Sequence, residues 1–395
     1  MTDGGDWEGL VDAMQHAAKV VLDDPRVDSP LSNLEGVRYL TRLVAAGSLF
    51  ELENQDPAYP HFTRMESPWM QWGLPNPDTA YLSAYLHGDH SYRIVGKRGS
   101  AHLLAIEVYS SRWSRMGEMH LVDSVIHLVD GRGELEVGPD GSFEIVLSRE
   151  KQEGNWLALP AGEACLMVRS VYYDWETEEP GMVVIEREGA TYPPPPATED
   201  QLSERIGRVA EFLRVVPTVM IRGIDQAYAA EEGTVQFPPM TVGTDHNIGF
   251  RQQNYGQGIY RCAPGEAVVV EVTPPNCVYW AFHLSNHFWE SLDWNMRQNS
   301  INGHQAVLDP DGVFRAVISH EDPGVPNWLD ASGHPVGLIS VRYNSADSVP
   351  IPRSTVMALD QLRDAIHPDT PEVAPAERAE SIRRRMLSVR RRLAD

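Results

Sequence analysis

Five short signatures occur twice in this chain, in the same order. Ala105 and Trp113, with seven residues between them, return as Ala281 and Trp289. Asp140-Gly141-Ser142-Phe143 returns as Asp311-Gly312-Val313-Phe314, each leading into an apolar run closed by serine, Ser148 and Ser319. Asn155-Trp156-Leu157 returns as Asn327-Trp328-Leu329, Val168-Arg169 as Val341-Arg342, and Tyr92-Arg93 as Tyr260-Arg261. One such pair is within the reach of chance, but five collinear pairs predict two copies of one fold. Within each copy the runs are short and rich in β-formers, such as Leu103 to Tyr109 and Phe143 to Leu147. Turns with Asp-Gly or Pro and Gly separate them, at Asp130-Gly131, Pro139-Asp140-Gly141 and Pro160-Ala161-Gly162. That spacing predicts a mainly β chain: two tandem jelly-roll-like β-sandwiches with N-terminal, inter-domain and C-terminal helices.

The boundaries follow from changes of period. Residues 1–75 read as an N-terminal helical region, with helices over 7–22 and 32–53; Val37, Leu40, Val44 and Phe50 can share a face of the second. The first sandwich is expected over 76–190. Residues 191–235 hold four consecutive prolines, Pro193 to Pro196, and then a helical stretch striped by Leu202, Ile206, Val209, Phe212 and Leu213. Pro217 is expected to kink or split that helix. The second sandwich follows over 236–352. Helices are expected over 353–395, one at about 353–366 and an Arg-rich one at the end.

Composition narrows the function classes. The chain has 395 residues, 42% of them hydrophobic, and a net charge of -23. It is too apolar for a disordered protein and too acidic overall to attract a phosphate backbone. The last 20 residues are the exception at +4, with Arg383-Arg384-Arg385 and Arg390-Arg391-Arg392 on a helical pattern. Packing on the chain's own acidic body or on a second subunit is the expected role of that helix, and a contact with anionic lipid or nucleic acid is the alternative. Cys165, Cys262 and Cys277 are too scattered for a disulfide framework or a zinc knuckle. No apolar run approaches a membrane span and no secretory signal is visible, which points to a cytoplasmic protein.

At Asn76-Pro77-Asp78-Thr79-Ala80-Tyr81, at Tyr92-Arg93-Ile94-Val95-Gly96 and at the Asp-Gly-x-Phe, Asn-Trp-Leu and Val-Arg signatures, the chain resembles bacterial proteins of domain of unknown function 1214, often found beside domain 1254. The likeness covers about 76–172 well and 260–343 less completely. The resemblance implies a β-sandwich of jelly-roll type, in tandem, and no established reaction, cofactor or catalytic residue. The Asn76-to-Tyr81 segment has no evident counterpart in the second copy.

The candidate chemistry is sparse. His283 and His287 have the spacing of a helical metal site, but they fall in a β-like segment, Tyr279 to Trp289. Four residues at ~3.3 Å each would hold them roughly 13 Å apart. No shared metal is expected, and with no Gly-rich phosphate loop no cofactor is predicted. Their strand face, His283, Ser285 and His287, matches Glu107, Tyr109 and Ser111 in the first copy. This face either lies against solvent or lines a cavity, where His283 or His287 would be a general base and Glu107 a general acid. Asp78 reads as a turn or cap residue, or as a carboxylate at a cleft edge. Arg169 and Arg342 each call for a carboxylate partner or an anionic ligand. Trp72 and Trp294, with Trp69, lie outside the repeat and are candidates for stacking on a ligand. The expected function is an enzyme acting by side-chain acid–base chemistry on a small, partly apolar molecule between the sandwiches. The alternatives are a carbohydrate or hydrophobic-ligand binding module and an assembly protein.

Overall fold

A computed structural model describes residues 5–228 and 252–393. Two helices open it, α1 (Gly5–Leu22) and α2 (Pro30–Gly47), the second running into a wider turn at Ser48–Glu53. Ser29 caps α2: its hydroxyl accepts from the Ser32 amide at 3.1 Å, and Pro30 fills the first turn, where no amide donor is needed. The buried face of α2 is Tyr39, Leu43 and Ala46, continued by Phe50. Leu40 and Val44 flank it and Val37 is exposed, so the apolar stripe is rotated from the one the spacing suggests.

The first sandwich follows: β1 (Thr63–Arg64), β2 (Thr79–His87), β3 (Tyr92–Lys97), β4 (Leu103–Ser110), β5 (Leu121–Leu128), β6 (Ser142–Ser148), β7 (Trp156–Ala158), β8 (Glu163–Val171) and β9 (Met182–Arg187). Helix α3 (Glu199–Tyr228) connects it to the second: β10 (Gln253–Arg261), β11 (Glu266–Val272), β12 (Tyr279–Ser285), β13 (Ser300–Asn302), β14 (Phe314–Ser319), β15 (Trp328–Asp330), β16 (Val336–Asn344) and β17 (Arg353–Ala358). A short helix α4 (Leu362–Ala365) and the Arg-rich α5 (Pro375–Arg392) complete the described chain.

Apart from β1, which has no counterpart among the described residues, the two sandwiches share one strand order. One sheet runs β1-β2-β8-β4-β5 and its counterpart β10-β16-β12-β13; the other runs β7-β6-β3-β9 and its counterpart β15-β14-β11-β17. In both, the strand before the closing turn pairs in parallel with a three-residue strand, β6 with β7 and β14 with β15. The repeated signatures make the same bonds twice. Gly141 and Gly312 have φ of 79° and 80°, which a side chain would strain. The amides of Ser142 and Val313 donate to Asp140 and Asp311 at 3.1 Å. Asn155 accepts from the Glu136 amide and donates to the Glu136 carbonyl, at 2.8 and 2.9 Å; Asn327 does the same with Val307, at 2.9 and 2.6 Å.

Three expectations are corrected. Tyr92 opens β3 whereas Tyr260 lies in β10, the counterpart of β2, so these tyrosines are not equivalent. The register equates Tyr81, opposite Arg169, with Tyr255, opposite Arg342. The split expected at Pro217 does not occur: α3 continues through it, because Leu213 and Val216 are fully buried against α1, α2 and the first sandwich, and that packing outweighs one lost backbone bond. Part of the helical expectation over 353–366 also fails: Arg353–Ala358 is a strand that covers the edge of β11, with Thr355 opposite Val269 and Ser354 opposite Val270.

Each sandwich has its own interior, built from alternate residues: Ile94, Ile106, Ile145 and Leu166 in the first, Val268, Phe282, Ile318 and Val341 in the second. The opposite faces of β4–β8 and β12–β16 are buried too. Toward one end Leu103, Ala105 and Val171 pack on Tyr279 and Ala281 of the second sandwich. Toward the other, Tyr85, Tyr109, Cys165 and Met167 pack under the N-terminal helices and α3. Among the described residues no helix is long and apolar enough to cross a membrane.

Asn327→Ala is expected to cost about 1–3 kcal/mol in urea unfolding, since the Val307 amide and carbonyl lose their partner in a half-buried place. Asn155→Ala at the exposed counterpart should cost less; equal losses would show that burial does not set the difference.

Candidate functional site

The face shared by His283 and Glu107 lies between the sandwiches and is closed to solvent. Glu107, His283 and Ser285 are fully buried, which removes the reading of a solvated outer face. In the first half the charges are matched. Arg169 touches the Glu107 carboxylate and donates to the Tyr109 hydroxyl at 3.0 Å. Glu107 is thus an ion-pair partner of Arg169 inside the closed layer.

The second half differs. Its arginine, Arg342, is buried and donates Nη2 to the Leu74 carbonyl at 3.0 Å, with its guanidinium 5.3 Å from the centre of the Tyr255 ring. No carboxylate lies within 4.0 Å of it among the described residues. In the place of Glu107 stands His283, and neither ring nitrogen has a hydrogen-bond partner there. The hydroxyls of Ser285 and of Ser340, opposite His283 on β16, are likewise buried and unpartnered among the described residues. Burial, then the nearby Arg342 charge, hold the His283 pKa well below its ordinary 6.5, so the imidazole is neutral.

A residue that sequence reasoning missed sits at this layer. Glu66 is buried in the loop between β1 and β2, its carboxylate accepting from the Trp72 and Gly73 amides. Burial pushes its pKa up to about 8 against the pull of those amides and of Arg342 and Arg169. No motif marks it; only the loop's placement over the β12–β16 face brings it near Arg342. That loop is anchored by the Leu74 amide on the Trp289 carbonyl at 2.7 Å and by Ser291 on the Pro75 carbonyl.

His287 is not on the His283 face. The strand ends at Ser285, and Asn286 folds the chain back by accepting from the Phe288 and Glu290 amides at 3.0 and 3.2 Å. His287 therefore lies beside Phe288, ring centres 4.3 Å apart, within reach of the charges of Glu35 and Asp24 near the N-terminal helices. Burial lowers its pKa.

Asp78 lies in the expected turn, its amide donating to Asn76 Oδ1 at 3.2 Å, but its carboxylate caps no backbone amide among the described residues and is not at a cleft edge. Its carboxylate is buried and accepts from Tyr279 Oη at 2.6 Å, Trp175 Nε1 at 2.7 Å and Asn302 Nδ2 at 2.8 Å. Trp175 in turn lies between two guanidiniums of α5, Arg385 at 4.2 Å and Arg392 at 4.1 Å. Asp78 thus joins both sandwiches and the C-terminal helix. Arg378, Arg385 and Arg392, spaced by seven, face the chain's own body; Arg383, Arg384 and Arg390 are exposed.

The tryptophans proposed for stacking are structural. Trp72 is buried among Trp113, Phe50 and Phe212, and Trp294 packs edge-on against Trp175. Trp69 is exposed. The cavity of about 570 Å³ also lies elsewhere, between the sandwiches and α5, lined by Trp175, Gln298, Ser300, His304, Arg378 and Arg385. Neither 76–81 nor 283–287 contributes to it.

The family profile described as protein of unknown function DUF1214 matches residues 78–173. An uncharacterized protein from Burkholderia cenocepacia, known from its crystal structure, is 30% identical to this chain, over 90% of this chain and 98% of that one, with a TM-score of 0.83. The chain belongs to the DUF1214 family. The matched segment spans β2 to β8 and includes Asp78, Glu107, Tyr109 and Arg169. A structure from Vibrio parahaemolyticus aligns at 13% identity over 87% of this chain and 100% of that one, with a TM-score of 0.43. No curated protein matches the sequence.

Asp78→Ala is expected to cost about 3–5 kcal/mol, because it strands two buried guanidiniums and three donors; chemical denaturation would measure it. His283 gives a pH test. Its folded pKa is depressed, so its contribution is full above the ordinary 6.5 and is lost as pH falls below that value. The wild type should therefore lose more stability than His283→Gln between pH 8 and pH 5. Parallel stability curves would contradict a buried neutral imidazole.

Proposed function

We propose that this protein is a cytoplasmic enzyme acting on a small, partly apolar organic molecule in the polar layer between its two sandwiches. The observation that carries the reading is His283, a fully buried imidazole whose nitrogens have no partner among the described residues. An imidazole kept neutral is a proton acceptor, and a carboxyl that stays protonated to about pH 8 is a proton donor, so His283 and Glu66 take the base and acid roles. The matched halves suit an internal duplication in which one copy kept a closed ion pair and the other acquired chemistry. A second reading, a non-catalytic binding protein, is favoured by the cavity beneath α5, which shares no residue with the His283 layer.

The test is a metabolite library incubated with wild type and with His283→Gln, followed by mass spectrometry. The enzyme reading expects at least one compound consumed by the wild type and spared by the variant, with both proteins equally folded by circular dichroism. Equal consumption by the two, or none by either, counts against it.

A further inference from the structure

We infer that the ligand of this layer carries a carboxylate, bound by Arg342 beside His283; this rests on the layer being the ligand site. The two halves supply their own comparison. On the paired strands β4 and β8, Ala105 faces Arg169 and Glu107 faces Met167, so a carboxylate stands two residues along from the arginine's partner. On β12 and β16, Ala281 faces Arg342 and His283 faces Ser340, in the same register. The first half fills its position with Glu107, which neutralises Arg169. The second half fills it with a neutral imidazole and leaves Arg342 buried with a backbone carbonyl and an aromatic ring.

A buried cation without an anion is costly, and Arg342 has its Nε unpartnered among the described residues as well. Glu66 does not supply the charge: its carboxylate is turned to the Trp72 and Gly73 amides, and burial keeps it protonated at neutral pH. Among the described residues, the group that is missing is therefore an acceptor of the size and charge of a carboxylate. A guanidinium binds such a group through two parallel N–H donors, and a neutral imidazole can add a third N–H. Ser285 and Ser340 offer hydroxyls to the remainder of the molecule.

The experiment uses the full chain and two probe pairs at neutral pH and constant ionic strength: acetate against acetamide, and benzoate against benzamide. Affinity is read from the shift of the thermal midpoint with concentration. The carboxylates should stabilise the wild type and the amides should not. His283→Glu should restore the arrangement of the first half, fold normally and bind the carboxylates roughly 30-fold or more weaker. Arg342→Met should lose binding to the same extent. Histidine ring resonances of the wild type give a readout that needs no variant: a buried His283 signal should move with acetate and stay with acetamide. Equal responses to acid and amide, or wild-type affinity in His283→Glu, would overturn the inference. Carboxylate binding of the expected pattern with no compound consumed in the library would remove the enzyme reading and leave the anion site. His283-dependent turnover of a neutral compound with no response to acetate or benzoate would remove the anion site alone.

Discussion

The buried carboxylate of Asp78 is the point on which the three parts of this molecule converge. A carboxylate taken out of water is tolerated only when its oxygens are fully engaged. Here the donors come from different bodies: Trp175 from the first sandwich, Tyr279 and Asn302 from the second, with Arg385 and Arg392 of α5 supplying the positive field. Satisfying one side chain therefore fixes how the sandwiches stack and where the C-terminal helix lies. The stacking in turn closes the layer that holds His283, because the same strand β12 carries Tyr279 at one end and His283 four residues on.

That layer shows how two halves of one topology can diverge by a few exchanges on one strand face: Glu107 to His283, Tyr109 to Ser285 and Met167 to Ser340. Where both faces of a sheet are buried, polar side chains must find partners. The first half does so internally, with an arginine, a glutamate and a tyrosine. The second keeps the arginine and changes the glutamate to histidine. Backbone, strand order and core are untouched, since Glu107 and His283 both point away from the sandwich interior. Among the described residues, the electrostatics change from a closed pair to a cation with no carboxylate within 4.0 Å, beside a neutral base.

Much of the fold could be read in advance because its determinants are local. Asp140-Gly141 and Asp311-Gly312 specify turns through a positive φ and an Asx bond two residues long, and Asn155 and Asn327 clamp residues 19 and 20 positions upstream. Such contacts stay within one sandwich and leave the same letters in both copies. The misses were of another kind. Pro217 forbids one hydrogen bond, but the packing of Leu213 and Val216 decides that the helix continues. Residues 353–358 became a strand because the edge of β11 was open to pairing. His287 left the His283 face because Asn286 turns the chain one residue past the strand. Glu66 and Arg342 are 276 positions apart, and no spacing rule connects them.

The sequence by itself determined the duplicated strand plan, the turns and the positions of Arg169, Arg342, Glu107 and His283 on matching strands. These depend on short-range sterics and on the two-residue period of a pleated strand, both of which are written in neighbouring letters. Only the tertiary structure decided which of those side chains met a partner. Burial, pairing and protonation depend on what the rest of the chain places within a few ångströms, and that is set by how the sheets stack. The same stacking gave Arg169 its carboxylate and left His283 with none.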